Sequence, residues 1–479
     1  MLAYSRTRLR HACTVRLLGS SASTGGETPR DPTAFALLIF HRHGDRSPLR
    51  GHTPDEELVR PTATPARCNA DAVGTYVHRA AVWGGGATES SGGVVTAAKT
   101  AEVFWRGQLV PQEDIQRLHE LYPVRRSPGE AVPPDEESAP FGCLTSVGLQ
   151  QLRERGSRFR RKYCADGMID SSRLVFLFRV GVFSTNYRRT QLSAQGFLEG
   201  FLGGKGGVPV VVRPRAEDFL NQWESRGHEM YERMMVLESG AALRETEETV
   251  GGPLKRQLNA LDPELFPLPQ GGRFRWMMAA DYFMSARARG LRIAPKLNAL
   301  GTSTIRHLVW RFGRFYRDEE MMRIMVGPLL AHILECLIAA ESETEQSESG
   351  SSSSSSSSSS TAVSGSGSGV RQLSRVVSSS CHDVTILALL YAMDAHLIED
   401  KDYWPPYGCT IAFAVSNCRR GLEGQEPREG QEEKGDSIVL EISVDGEPLR
   451  SSLFGDHEGR SGAVSLSDFR TAVEKLLPP

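Results

Sequence analysis

The stretch Thr33-Ala-Phe-Ala-Leu-Leu-Ile-Phe40 constrains this chain more than any other. It is a short, continuous apolar run of strand formers with no polar alternation. A strand of that kind needs cover on both faces, as in a parallel sheet flanked by helices. The run stops at Arg42-His43-Gly44-Asp45-Arg46-Ser47-Pro48, so polar, reactive side chains are expected at the carboxyl end of a buried strand. In open α/β sheets that is where ligands bind.

The pattern recurs. Arg173 to Phe183 reads as a second buried strand, followed by a turn at Ser184-Thr185-Asn186 and a helix from Arg189 to about Leu202. Before it, Leu144 to Tyr163 reads as an amphipathic helix with Thr145 or Ser146 as N-cap and Leu149, Leu152, Phe159 and Tyr163 at helical spacing. Arg375 to Ser379 reads as a third strand before the apolar helix Ile386 to Met393, and Ile411 to Val415 and Ile438 to Val444 read as further strands. Alternating strands and helices predict an α/β core. That core is expected over residues 33–211 and 309–479, with 212–308 as a mainly helical cap insertion. Residues 50–140 read as an irregular surface excursion with a helix or two, such as the stretch Thr96 to Arg106. Met321 to Ala340 reads as a long helix kinked or divided at Pro328. Residues 341–369, which contain the unbroken Ser351–Ser360 run, cannot bury enough apolar surface to fold and are expected to be a disordered loop. Ser467 to Leu477 is expected to close the chain as a helix.

Bulk properties exclude little but are consistent. A formal net charge of −2 gives no pull toward nucleic acid or an anionic membrane, so anion binding must come from local arginine clusters. No segment has the roughly 20 consecutive apolar residues of a membrane span. The eight cysteines form no CxxC pair or metal-ligand spacing, and the absence of Asn-x-Ser/Thr leans away from a secreted glycoprotein. Residues 1–26 carry Arg6, Arg8, Arg10 and Arg16 and no acidic residue. Arg-rich, Ser-rich, acid-free composition predicts an organellar transit segment, with cytoplasmic or secretory/lysosomal location as the alternative.

Three clusters carry chemistry, each directly after a strand. In the first, a neutral imidazole at His43 can attack phosphorus, while Arg42 and Arg46 can receive phosphate oxygens. In the second, Ser184-Thr185-Asn186-Tyr187-Arg188-Arg189-Thr190 offers a further guanidinium. In the third, Cys381-His382-Asp383-Val384-Thr385 offers a histidine to hydrogen-bond phosphate and a carboxylic acid to protonate a departing alkoxide. Singly, each is more often a solvated surface or a helix cap. Together they supply nucleophile, clamp and acid.

On RHGDRSP, the distal His382-Asp383 pair and the helix Leu144-Thr145-x-x-Gly148-x-Gln150, the chain resembles the histidine acid phosphatases of the histidine phosphatase superfamily, branch 2. The resemblance implies a three-layer αβα sandwich, phosphoglycerate-mutase-like, with a helical cap over the site. It implies a metal-independent phosphomonoester hydrolase without a cofactor, acting through a phosphohistidine at His43. Arg42, Arg46 and Arg189 would bind phosphate, His382 would assist it, and Asp383 would donate the proton. Met325-Val-Gly-Pro-Leu329, Cys381 to Thr385 and Trp404-Pro-Pro-Tyr407 are most similar to the lysophosphatidic acid phosphatase type, which implies a lysophospholipid or similar small phosphomonoester and a mitochondrial setting. The alternatives are an inositol polyphosphate phosphatase, whose members usually carry HAE in place of His382-Asp383, and a non-catalytic phospholigand binder. One position departs: the family commonly has arginine before the Ser-Thr pair, and here it is Phe183. Activity is expected to survive, because Arg189 is retained.

Overall fold

In the computed structural model, strand β1 (Ala36–Arg42) is buried along its whole length, and successive side chains enter two separate cores. Leu38 and Phe40 face one, Leu37 and Ile39 the other. The period of two thus explains why the run is apolar throughout. The structure describes residues 36–49, 106–127, 133, 135, 139–164, 179–263, 266–269, 273–289, 295–349, 375–418, 437–454 and 463–478. The expected transit segment, the helix at Thr96 to Arg106 (Arg106 apart) and the polyserine run lie outside them.

In chain order after β1 come α1 (Gln112–Leu121), β2 (Val124–Arg126), α2 (Ser146–Tyr163), β3 (Arg179–Ser184), α3 (Arg188–Leu202) and β4 (Val210–Val212). The helical region follows: α4 (Gln222–Ser225), α5 (Gly227–Ser239), α6 (Ala241–Thr246), α7 (Gly252–Leu261), α8 (Trp276–Ala288) and α9 (Pro295–Phe315). Next are α10 (Glu319–Met325), α11 (Gly327–Ser349), β5 (Arg375–Cys381), α12 (Asp383–Ala392), β6 (Thr410–Cys418), β7 (Ser437–Val444), β8 (Glu447–Pro448), β9 (Ala463–Ser465) and α13 (Leu466–Val473). The sheet runs β2-β4-β3-β5-β1-β6-β7-β8, with β9 against β7. From β2 through β1 the pairings are parallel; β6 to β9 are antiparallel. Helices α1, α2 and α3 cover one face, and α10 to α13 with the helical region cover the other. The fold is therefore the expected α/β sandwich.

Register matters for function. Arg42 lies beside Cys381, and Ser184 beside Ser380, so β1, β5 and β3 end level and adjacent. Local signals hold the entering helices. Thr145 caps α2 by accepting from Gly148 N at 3.1 Å, and Gly203 closes α3 in the left-handed conformation at φ 66°. Between α10 and α11 the chain bends by 59°, with Pro328 in the first turn of α11 where its missing N–H costs nothing.

Three expectations need correction. Within the excursion of residues 50–140, α1 fits the expected helix or two, but the edge strand β2 was not expected. Strand β4 was also unforeseen and contains Val212, assigned to the cap. Both strands have only three residues, too few for a period to register. Finally, residues 341–349 of the expected disordered loop continue α11. Glu and Gln are good helix formers, and extending a formed helix avoids the cost of nucleation.

Candidate active site

The three motifs converge at the level ends of β1, β5 and β3. His43 is 2% exposed, and its ring centroid is 5.7 Å from that of His382. Its Nδ1 lies 2.9 Å from the Gly44 carbonyl. A carbonyl only accepts, so Nδ1 carries the proton and Nε2 presents its lone pair. Burial, followed by the cations Arg189, Arg42 and Arg46 and then by His382, holds the proton affinity of His43 well below the usual histidine range. The imidazole is neutral, as a nucleophile must be.

Local packing fixes the loop after His43. A Cβ on Gly44 would sit 2.2 Å from the Gly148 carbonyl oxygen, and one on Gly148 would sit 2.1 Å from that of Asp45. The heptad and the start of α2 touch backbone to backbone, which only two glycines permit. Thr145 Oγ1 donates to Asp45 Oδ2 at 2.7 Å, and Asp45 N donates to Gln151 Oε1 at 3.0 Å. The glutamine that serves the loop is thus Gln151, not Gln150, which bonds Glu154 on the exposed side of the helix. The LTxxGxxQ spacing counts to Gln151.

Each arginine of the clamp is paired with a carboxylate. Arg42 Nη2 meets Asp383 Oδ2 at 2.7 Å, Arg46 Nη2 meets Asp281 Oδ1 at 2.6 Å, and Arg189 Nη1 meets Asp135 Oδ2 at 3.2 Å. A fourth pair, Arg289 Nε to Asp45 Oδ2 at 3.0 Å, lies beside them. Asp135 also accepts from the backbone N–H groups of Arg188 and Arg189, anchoring the start of α3. Yet the buried Nε donors of Arg42, Arg46 and Arg189 have no acceptor among the described residues. Buried donors are rarely left so, and a tetrahedral oxyanion beside His43 would satisfy them.

The remaining members complete the pocket. His382 Nε2 is 3.1 Å from Thr185 Oγ1, which in turn reaches Thr190 Oγ1 at 2.8 Å. Burial and Arg189 keep His382 well below the usual histidine range despite the opposing charge of Asp383. Burial works to raise the Asp383 carboxyl, but Arg42, a 3.0 Å bond from Trp404 Nε1, Arg46 and His382 outweigh it and leave it lowered. Tyr407 stacks under Arg42 at 4.2 Å, with Arg46 at 5.9 Å, and Tyr187 under Arg189 at 4.1 Å. Phe183, where the family commonly has arginine, packs edge-on against Phe219 and His332, with the guanidinium of Arg213 at the end of β4 5.3 Å away. Among the described residues no group of three or more His, Cys, Asp or Glu is arranged to hold a metal ion.

All six residues expected from the sequence, His43, Arg42, Arg46, Arg189, His382 and Asp383, lie in this one pocket. Asp281, Asp135, Arg289, Thr185, Tyr187 and Tyr407 were not foreseen as site residues; Thr185 and Tyr187 lie inside the second motif and Tyr407 in the Trp404-Pro-Pro-Tyr407 stretch, while the other three carried no signal.

Comparison with known proteins agrees with this layout. The histidine phosphatase superfamily (branch 2) matches residues 37–232. Human lysosomal acid phosphatase is 24% identical over 304 residues, covering 59% of this chain and 62% of that relative's length. Among solved structures, the Bifidobacterium longum multiple inositol polyphosphate phosphatase in complex with inositol hexasulfate aligns over 94% of each chain at 11% identity and a TM-score of 0.52. The Hafnia alvei phytase in complex with tartrate aligns over 94% of this chain and 99% of that one at 12% identity and a TM-score of 0.50. These two share the fold. The segment that matches branch 2 of the histidine phosphatase superfamily contains the His43 loop, its supporting helix α2 and the start of α3 with Arg189.

Proposed function

We propose that the protein is a phosphomonoester hydrolase acting through a phosphohistidine at His43. The reading is carried by one arrangement: the unprotonated Nε2 of His43 among three buried guanidinium donors without acceptors. Nε2 attacks phosphorus and the bond to the ester oxygen breaks, with Arg42, Arg46 and Arg189 holding the equatorial oxygens. Asp383 gives its proton to the leaving alkoxide. Water then attacks the phosphohistidine, returns a proton to Asp383 and releases orthophosphate.

Asp383 is ionised in the free site, so it must be loaded first. A monoester dianion engages the charges of Arg42 and Arg46 that hold the carboxyl down and adds negative charge beside it. Both changes raise its proton affinity. The substrate thus brings about the protonation of the acid that expels its leaving group.

For the substrate we propose lysophosphatidate or a similar small monoester. Support comes from the stretch most similar to the lysophosphatidic acid phosphatase type. Pro405 accepts from Arg42, Trp404 bonds Asp383 and Tyr407 stacks on Arg42. For location we propose mitochondria, on the transit-like composition of residues 1–26 together with the resemblance to the lysophosphatidic acid phosphatase type; fractionation of the full chain with a C-terminal tag checks it, and a lysosomal or cytoplasmic pool would refute it.

His43→Ala should abolish turnover of p-nitrophenyl phosphate while the circular dichroism spectrum stays native. Acid-quenched wild type should trap an acid-labile phosphoprotein that the variant lacks. A variant with near wild-type turnover would remove His43 from the mechanism. A panel of lysophosphatidate, sugar phosphates and inositol phosphates tests the substrate, and preference for inositol phosphates would overturn the lysophospholipid reading.

A further inference from the structure

Helix α8 belongs to the helical region, yet Asp281, Ser285 and the C-cap residue Arg289, at successive turns, reach the His43 loop or the tyrosine that supports Arg42. Asp281 grips Arg46 with both oxygens, at 2.6 and 3.4 Å, and also accepts from Leu49 N at 3.0 Å. One turn on, Ser285 Oγ is 3.1 Å from the hydroxyl of Tyr407, whose ring supports Arg42. One further turn on, Arg289 pairs with Asp45. Spacing of four residues puts all three on one helix face.

The grip on Arg46 has a directional consequence. Asp281 and the Ser47 carbonyl, at 3.0 Å, take the Nη edge of the guanidinium. The donor left over is Nε, buried and without an acceptor among the described residues. Asp281 is itself 2% exposed, so water does not share this pair. Its charge also offsets one of the cations crowded around His43.

We infer that Asp281 is a positioning residue that turns Arg46 so that its Nε edge faces the transferring phosphoryl group, and that α8 thereby ties the helical region to the phosphate clamp. This rests on the phosphohydrolase reading above. Without Asp281, Arg46 is free to offer its Nη edge to any bound phosphate. The site then holds ground-state phosphate more tightly but no longer presents the donor suited to the transition state. Binding of that kind does not raise kcat.

The test is Asp281→Asn in the full chain, with p-nitrophenyl phosphate turnover per folded molecule and inorganic phosphate as competitive inhibitor. The expected result is a fall in kcat of about 10- to 100-fold together with a fall in the inhibition constant for phosphate of at least about threefold. A purely structural role would reduce only the folded fraction. Values of kcat and inhibition constant within about twofold of wild type, or weaker phosphate binding, would overturn the inference. If Asp281→Asn does not fold, Asp281→Asn with Arg46→Gln leaves no unpaired buried charge and is compared with Arg46→Gln alone. Equal kcat is expected, because Asp281 acts through Arg46; a further tenfold loss would overturn it. His43→Ala separates the two levels: if that variant is inactive and Asp281→Asn behaves as wild type, only the positioning role fails. If His43→Ala is active, the underlying reading fails.

Discussion

Asp383→Asn separates two contributions of one side chain. Asp383 Oδ2 forms an ion pair with Arg42 Nη2 at 2.7 Å and accepts a hydrogen bond from Trp404 Nε1 at 3.0 Å. Replacing the carboxylate by an amide keeps the volume but removes the charge that holds Arg42. A misaimed Arg42 loses a charge-assisted hydrogen bond to phosphate, worth about 1.5–3 kcal/mol, so any substrate should lose about 10- to 100-fold. The second contribution is the proton. Acid assistance is worth about 10²–10⁴, and only a poor leaving group needs it. An alkyl phosphate should therefore lose at least about 100-fold more than p-nitrophenyl phosphate, whose phenolate departs unaided.

The quantity to measure is kcat/KM for glycerol phosphate and for p-nitrophenyl phosphate, in wild type and variant. If breakdown of the phosphohistidine limits turnover, kcat becomes independent of the leaving group and would mask the effect. kcat/KM runs only through the first irreversible step and does not. Equal losses on both substrates would show that Asp383 serves Arg42 alone and that the proton comes from elsewhere.

Other consequences follow from the packing. His41 is fully buried against Phe197, and burial lowers it from 6.5 to about 4 despite a bond to the Arg42 carbonyl. The unfolded chain binds this proton first, so stability is lost as pH falls from 6.5 toward 4. At about 1.4 kcal/mol per pH unit that is about 3 kcal/mol, and denaturant titrations of His41→Leu should show a flatter acid limb; an unchanged limb would refute the assignment. Gly148→Ala should destabilise by more than about 3 kcal/mol and lower activity more than tenfold, since its Cβ would lie 2.1 Å from a backbone oxygen. A thermal melt within about 2 °C of wild type would contradict the backbone contact. Gln151→Ala should lower kcat/KM severalfold by freeing Asp45 N, whereas Gln150→Ala should be neutral; the reverse order would reinstate Gln150.

The strands that carry the site were legible because they are central. Cover on both faces makes β1 apolar from Ala36 to Phe40, and although β5 carries the buried serines Ser378 to Ser380, β1, β3 and β5 each run straight into a motif. The edge of the same sheet was not. β2 is Val124-Arg125-Arg126, with both arginines exposed, and three residues hold no period. The clamp was legible only on its cationic side. Arg42, Arg46 and Arg189 stand in short motifs, but their partners do not: Asp281 is 235 residues from Arg46, and Asp135 is 54 from Arg189. An aspartate in a helix or after two prolines carries no mark that it will face a buried arginine, because the pairing exists only after the chain has folded.

That asymmetry alters the physical picture of the site. Read from the motifs, the clamp is an excess of positive charge that attracts phosphate. In the folded protein the four arginines Arg42, Arg46, Arg189 and Arg289 meet the four aspartates Asp383, Asp281, Asp135 and Asp45. With the charges balanced, attraction at a distance is weak, and recognition must rest on donor geometry at contact. The Nε groups of Arg42, Arg46 and Arg189 are those donors, already desolvated and held in place by the carboxylates opposite. Such preorganised donors need not reorient as charge develops on the phosphoryl oxygens. A clamp built on net charge would weaken steeply with salt, since exposed charges are screened. This one should keep its affinity for inorganic phosphate within about threefold between 0.05 and 0.5 M sodium chloride, and a steep loss over that range would show that charge excess, not geometry, holds the ligand.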